Sequence, residues 1–170
     1  MRSIQIVITI AATLLGCGAY AEDRLPKIAV FPFELEDKSA GAGIIAIDDR
    51  DRRYLAEATE QASDQLRAID RFTVVAASAG PDAAPHGLRN CDRCEAVLAH
   101  DLGASFSLFG VVTRINRTEH TLLIRVVDTE TGKLASQGFT NLRMGANYAW
   151  PRSAKWLMDN QILAAAKAAN

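Results

Sequence analysis

The pattern of apolar and polar positions predicts secondary structure in the order β-α-β-α-β-β-β-α. The first strand is the β-rich apolar run KIAVFPFEL (27–35), with Pro32 near its end. A helix over about 48–69 follows, because its apolar residues recur at three- and four-residue steps. These residues are Leu55, Ala58, Ala62, Leu66 and Ile69. The acidic residues at 48, 49 and 51 suit the positive end of that helix and predict its start.

A second strand is predicted over 71–77, and a loop rich in proline and glycine over 78–90. The next element is a short helix over 91–103 that ends at a glycine. We expect Cys94, Val97 and Leu98 to share the buried face of this helix.

Three further β-rich segments, 105–115, 120–130 and 133–143, are separated only by turns and predict a meander. The middle segment is mostly apolar, which places it near the centre of the sheet. Trp150-Pro151 opens a final helix, since proline is tolerated in a first turn. The whole order predicts an α/β sandwich in one domain, with helices covering a mixed five-stranded sheet.

The N-terminus predicts export from the cytoplasm. A positive residue, Arg2, precedes an apolar run (4–16) that is too short to cross a bilayer, as in a cleaved secretory signal. Cleavage after Ala21 would leave a domain over 22–170; alternatively, a lipobox at Leu14–Cys17 would make Cys17 a lipidation site. We therefore expect a periplasmic or secreted protein, or an outer-membrane lipoprotein, without a transmembrane span in the mature chain.

The charge balance and the motifs argue against several function classes. A net charge of −1 does not favour nucleic acid as a partner. The sequence has no glycine-rich phosphate loop, no G-x-S-x-G motif and no D-x-D-x-D-G loop. We therefore predict no catalytic residues, no metal site and no cofactor, and the sequence does not indicate an oligomeric state.

Cys91 and Cys94 allow three interpretations: a structural disulfide, a redox pair or half of a metal site. Residues three apart on a helix have Cα atoms about 5 Å apart, which suits a disulfide, and export favours oxidation. A thioredoxin-like pair would directly follow a strand, whereas here the loop 78–90 precedes it. A zinc site needs about four ligands, and the nearby His86 and His100 do not complete one at motif spacing. The structural disulfide is favoured.

Trp150, Arg152 and Trp156 form a second candidate group. Arg152 and Trp156 are one helical turn apart, and both residue types often anchor protein interfaces. A partner-binding patch is one interpretation. The favoured alternative is that the tryptophans pack the last helix on the sheet, because tryptophan is usually largely buried.

Several short motifs carry a resemblance to known proteins. The segments VFPF (30–33), RFTVV (71–75), LGA (102–104) and LFGVV (108–112) resemble the N-terminal domain of the Tol-system propeller protein and the periplasmic domain of the curli secretion lipoprotein. Cys91-x-x-Cys94 and Trp150-x-Arg152 together look like a family of small secreted bacterial proteins known by a domain-of-unknown-function label.

The resemblance implies a role in an assembly of the cell envelope. The leading hypothesis is thus a non-enzymatic protein that binds an envelope partner. Two alternatives stay open: a small-molecule binding or sensing module with its site near the loop 78–90, and a thiol-disulfide protein that uses Cys91 and Cys94.

Overall fold

The computed structural model describes residues 25–44, 46–78, 87–143 and 149–164. The predicted signal segment 1–21, Cys17, His86 and most of the predicted loop 78–90 lie outside the described residues. The strands are Lys27–Val30 (β1), Glu34–Asp37 (β2), Thr73–Ala76 (β3), Phe106–Arg114 (β4), Glu119–Asp128 (β5) and Leu134–Arg143 (β6). The helices are Asp49–Ala68 (α1), Cys94–Asp101 (α2) and Ala149–Leu157 (α3), with a 3-10 turn over Leu88–Asn90 and a π turn over Met158–Ile162.

The strands form one mixed sheet in the order β3-β1-β4-β5-β6. β1 is parallel to both β3 and β4, while β4, β5 and β6 form the predicted antiparallel meander. The larger core lies between the sheet and helices α1 and α3, and a smaller core lies under α2 on the opposite face. The predicted mixed α/β sandwich is confirmed. β4 is the central strand, and β5 lies beside it.

The predicted first strand is broken into two. β1 and β2 pair with successive parts of the same strand β4, so the sheet still has five strand positions. The break falls at Phe31–Phe33, around a proline that has no N–H for a strand ladder. The N–H of Phe33 donates instead to the hydroxyl of Thr59 on α1, at 2.9 Å. The interruption therefore joins the sheet to the helix above it.

A glycine on β4 makes room for this break. A Cβ atom on Gly110 would lie 2.6 Å from ring carbons of Phe33, which no ordinary side chain tolerates. The pairing shifts by one residue across the break, since Val30 lies opposite Leu108 but Glu34 lies opposite Val111. Because side chains alternate between the two faces of a strand, this shift exchanges the faces that odd and even residues occupy.

Helix α1 follows its sequence prediction closely. Asp48 caps it by accepting a hydrogen bond from the N–H of Asp51, at 2.7 Å. Such a side-chain cap satisfies a backbone donor that the helix itself cannot pair. The predicted apolar face is confirmed, with Leu55, Ala58, Ala62 and Leu66 buried and Ile69 partly buried against them.

Helix α2 differs from its prediction. It begins at Cys94 rather than at Cys91, because Arg93 before it adopts a left-handed conformation with φ of 62°. The predicted buried face is also wrong for Val97, which is 63% exposed. The buried residues of this helix are instead Glu95, Ala96 and Ala99.

The two tryptophans of α3 have different environments. Trp150 is fully buried and contacts the ring of His120 edge-on, with 5.6 Å between the ring centroids. Trp156 is 49% exposed. Trp150 therefore packs the last helix on the sheet, as the favoured alternative predicts, while Trp156 does not. None of the helices in the described part of the chain has the length and apolar character needed to cross a bilayer.

Arg114, at the end of β4, joins three elements. Its guanidinium lies 2.6 Å from the carboxylate of Asp51 on α1 and 3.2 Å from that of Asp37 on β2. Burial acts to lower the pKa of Arg114, but the hydrogen bonds and charges of both carboxylates raise it above its usual value. Burial likewise acts to raise the pKa of Asp37, yet hydrogen bonds from Ser39 and Arg114 hold that pKa below its usual value. The cluster is thus a largely buried clamp in which one arginine lies between two carboxylates.

We expect Arg114→Met to lower the free energy of unfolding by about 3 kcal/mol, because the buried carboxylate of Asp51 would lose the guanidinium that lies 2.6 Å from it. Urea titration with circular dichroism measures this loss. Arg53→Met, which removes the exposed pair of Arg53 with Glu57, is the control and should cost about 0.5 kcal/mol or less. Equal costs for the two variants would contradict a structural role for the clamp.

Candidate binding surface

Among the described residues, helix α2 and the 3-10 turn cover only part of one face of the sheet. Helix α2 has eight residues and is about 12 Å long, whereas the ten residues of β5 extend for about 33 Å. A helix of that length covers only part of the strands beneath it. The uncovered part, which we call the open sheet face, consists of residues on β4, β5 and β6. They are Val111, Thr113, Thr121, Leu123, Arg125, Gln137, Phe139 and Asn141.

An apolar row crosses the open sheet face at right angles to the strands. Val111 lies opposite Leu123, and Leu123 lies opposite Phe139, so the three side chains are direct neighbours on three successive strands. Val111 and Leu123 are partly exposed, and Phe139 is 49% exposed. The row is therefore an accessible apolar strip held on a rigid sheet.

Polar rows flank this strip on both sides. On one side Thr113, Thr121 and Asn141 are cross-strand neighbours, and on the other side Arg125 lies between Phe109 and Gln137. A shallow groove of about 230 Å³ follows the strip, and Glu36 and Arg89 complete its lining. An apolar centre with a polar rim is the arrangement found at protein interfaces.

Arg125 forms an ion pair with helix α2 at the end of the groove nearest that helix. Its Nε atom is 2.6 Å from the Oε1 atom of Glu95, a carboxylate that is completely buried. The distance is short, but the N–H is not aligned for a hydrogen bond, and neither carboxylate oxygen has a hydrogen-bond donor in the described residues. The guanidinium also lies over the ring of Phe109, with Cζ 5.7 Å from the ring centroid. Glu95 therefore holds Arg125 through charge and packing.

Arg89 is neutralised in a similar way. Its Nη1 atom is 2.8 Å from Oε2 of Glu34, and the other oxygen of this carboxylate accepts the N–H of Leu88 at 2.7 Å. The close approach requires Gly87, because a Cβ atom there would collide with the Glu34 carboxylate. Glu36 in turn pairs with Lys38 at 3.1 Å. The charged groups around the groove are thus matched to one another.

The two cysteines lie at the edge of the smaller core. Cys91 follows the 3-10 turn and Cys94 is the first residue of α2, with Cα atoms 5.6 Å apart and sulfur atoms at bonding distance. Arg93 between them donates to the carbonyl of Gly132 in the β5–β6 turn, at 3.0 Å. No cluster of three or more metal-ligating side chains occurs in the described residues.

The predicted group of Trp150, Arg152 and Trp156 does not form one exposed surface. Arg152 and Trp156 are exposed, but Trp150 is inaccessible to a partner in this structure. The open sheet face was not predicted from the sequence. One signal for it was present, namely a lone arginine within the apolar strand LLIRVV (122–127).

The comparison with family models gives one match that covers most of the chain. The model DUF3280, described as "Protein of unknown function (DUF2380)", matches residues 26–162. The chain belongs to this family. The match includes the open sheet face, both cysteines and the last helix. The comparison of this DUF3280 protein with curated proteins found no match.

Several solved structures are similar to this DUF3280 protein. A PelC dodecamer from Paraburkholderia phytofirmans has 15% identity and a TM-score of 0.46, covering 81% of this chain and 84% of that chain. The C-terminal domain of LpoB from Escherichia coli has 18% identity and a TM-score of 0.45, covering 72% and 87%. TolB from Acinetobacter baumannii has 14% identity and a TM-score of 0.46, covering 78% and 27%. At these values the likenesses carry no functional conclusion.

In the DUF3280 protein, we expect Arg125→Met to lower the free energy of unfolding by about 3 kcal/mol, since it leaves the buried Glu95 carboxylate unpaired. The double variant Arg125→Met/Glu95→Leu should recover most of this loss, because it removes both charges. Thermal and urea unfolding of the two variants measure the difference. If the double variant is no more stable than Arg125→Met, the unpaired charge of Glu95 is not the cause of the lost stability.

We also propose that Cys91 and Cys94 form a structural disulfide. We expect a reduction potential below about −300 mV, which is usual for structural disulfides in secreted proteins. Alkylation of the purified protein across a glutathione redox series, read by mass spectrometry, measures the potential. A potential near −200 mV together with one thiol of low pKa would instead favour redox chemistry.

Proposed function

We propose that this protein is a non-enzymatic component of the bacterial cell envelope that binds a protein partner through the open sheet face. The observation that carries the proposal is the apolar row Val111–Leu123–Phe139, which remains accessible on the sheet. Aromatic and apolar side chains at the centre of a patch, with charges kept to its rim, are typical of interfaces.

The charge arrangement supports an electrically neutral partner surface. The cations around the groove already have carboxylate partners within the chain: Arg89 with Glu34, Arg125 with Glu95, and Lys38 with Glu36. A strongly charged ligand such as nucleic acid would have to compete with these pairs. An apolar and hydrogen-bonding protein segment would not.

The location of the protein is proposed from the sequence. The charged start and the short apolar run over 4–16 favour export to the periplasm or the medium, and Cys17 keeps outer-membrane lipidation open. The partner would accordingly be a protein of the same compartment.

A small-molecule site has weaker support. An apolar cavity of about 190 Å³ lies at the end of the sheet, between Ile28, Leu66, Phe72 and Phe106, with Ser136 as its polar lining residue. Small-molecule sites usually combine apolar walls with several convergent polar groups, which this cavity does not offer in the described residues.

The proposal is tested by placing a photo-crosslinking amino acid at Leu123 in the exported protein. We expect irradiation to attach one envelope protein, identified by mass spectrometry, and the same probe at the exposed Glu57 on α1 to serve as the control. With that partner purified, Leu123→Asp should weaken binding by about tenfold or more, while Glu57→Lys should leave it unchanged. Identical cross-links from both positions, or unchanged binding by a folded Leu123→Asp variant, would contradict the proposal.

A further inference from the structure

In the described part of the chain β6 forms one edge of the sheet, and most of it carries no charge or proline that would prevent edge-to-edge pairing. Edge strands are commonly short or carry charged residues and prolines. The opposite edge strand, β3, has only four residues. By contrast β6 has ten, and LASQGFTNL (134–142) contains no charged residue and no proline. A bulge in the β5–β6 pairing falls near Ala135, so the strand is regular beyond it.

The outer edge of β6 is occupied at one point by a side chain that imitates a peptide group. The N–H of Phe139 donates to Oε1 of Gln161 at 3.0 Å, and the carbonyl of Phe139 accepts from Nε2 of Gln161 at 3.4 Å. Two residues that face each other in a hydrogen-bonded pair of an antiparallel sheet exchange the same two bonds. The Gln161 carboxamide therefore lies where the backbone of a neighbouring strand would bind.

The outward direction of the Phe139 backbone groups also determines which other backbone groups of β6 point outward. Because backbone groups alternate along an antiparallel strand, the N–H and C=O groups of Gln137 and Asn141 face the same side as those of Phe139. Within the described residues, neither of these two N–H groups donates to a side chain as the N–H of Phe139 does. Phe139 is also the last member of the apolar row, and half of its surface is exposed at the edge.

We propose that β6 pairs antiparallel with β6 of a second copy of this chain, about a two-fold axis at Phe139, and that Gln161 is displaced in the process. The partner must itself be an edge strand, and an uncharged strand brings no charge into the interface. β6 of a second copy meets both conditions once Gln161 is displaced. The two-fold axis continues the apolar row from one copy into the next, since the two Phe139 residues become direct neighbours. Each Gln137 then faces Asn141 of the other copy, a neutral pair of amides. An isologous interface of this kind closes at the dimer.

The pairing register allows a charge test that changes only two positions. Gln137→Lys/Asn141→Lys places lysine opposite lysine twice across the interface, whereas Gln137→Glu/Asn141→Lys places glutamate opposite lysine twice. We expect the first variant to raise the dimer dissociation constant by about tenfold or more and the second to keep it near the wild-type value. Sedimentation velocity over a concentration series of the exported protein measures both. Circular dichroism checks that each variant is folded.

Gln161→Ala gives an independent test. It frees the edge at Phe139 without changing β6, so the dissociation constant should fall by about tenfold. The amide protons of residues 137, 139 and 141 should then exchange with solvent more slowly as the dimer forms. If wild type and Gln161→Ala stay monomeric at every concentration, or if the two charge variants associate equally, the proposal is wrong. In that case a strand from another protein is the remaining candidate for this edge.

Self-association through β6 is a property distinct from partner binding through the open sheet face, and either can be absent without the other. Self-association is measured on the purified chain, without any partner. The Leu123 cross-link, in contrast, tests β5, an interior strand that does not contribute to the edge.

Discussion

The packing of Phe33 on the backbone of Gly110 is the contact on which much of this structure depends. It accommodates the break in the first strand at Pro32, across which the pairing with β4 shifts by one residue. As a result the apolar residues on both sides of the break point into the larger core. Before the break these are the even-numbered Ile28 and Val30, and after it the odd-numbered Phe33 and Leu35. A regular strand would have turned half of these apolar side chains toward the other face.

The same shift determines where the acidic residues of β2 lie. The side chain of Glu34 lies on the face of the sheet that carries the 3-10 turn, where it binds Arg89. The side chain of Asp37 lies at the end of β4, where it binds Arg114. Glu95 on α2 matches Arg125 from the other direction. Buried or partly buried charges are tolerated when each has a partner of opposite sign. Consequently the sheet carries several arginines and still presents a nearly neutral, hydrogen-bonding surface.

The sequence predicted best those elements whose residues follow a local period. Helix α1 has its cap and its apolar face within twenty residues, and the β4–β5–β6 meander is defined by turns between adjacent segments. Helix α2 lacks such a period, because its buried surface includes a glutamate and its exposed surface a valine. The partner that makes Glu95 burial possible, Arg125, is far away in sequence, and no local pattern reveals it. The open sheet face was missed for the same reason, since it depends on how much of the sheet one short helix covers.

Unequal coverage of the two faces explains how an apolar strip stays exposed in a folded protein. Helices α1 and α3 cover the larger core, so the apolar side chains of β5 at Leu122, Ile124 and Val126 are buried. On the other face the strip is one side chain wide, and threonines, amides and an arginine stem lie on either side of it. Those neighbours keep the contiguous apolar area small, which limits non-specific association. A surface of this kind favours a partner that aligns with the strip and hydrogen-bonds along its borders. An apolar surface of arbitrary shape would gain little binding free energy from it.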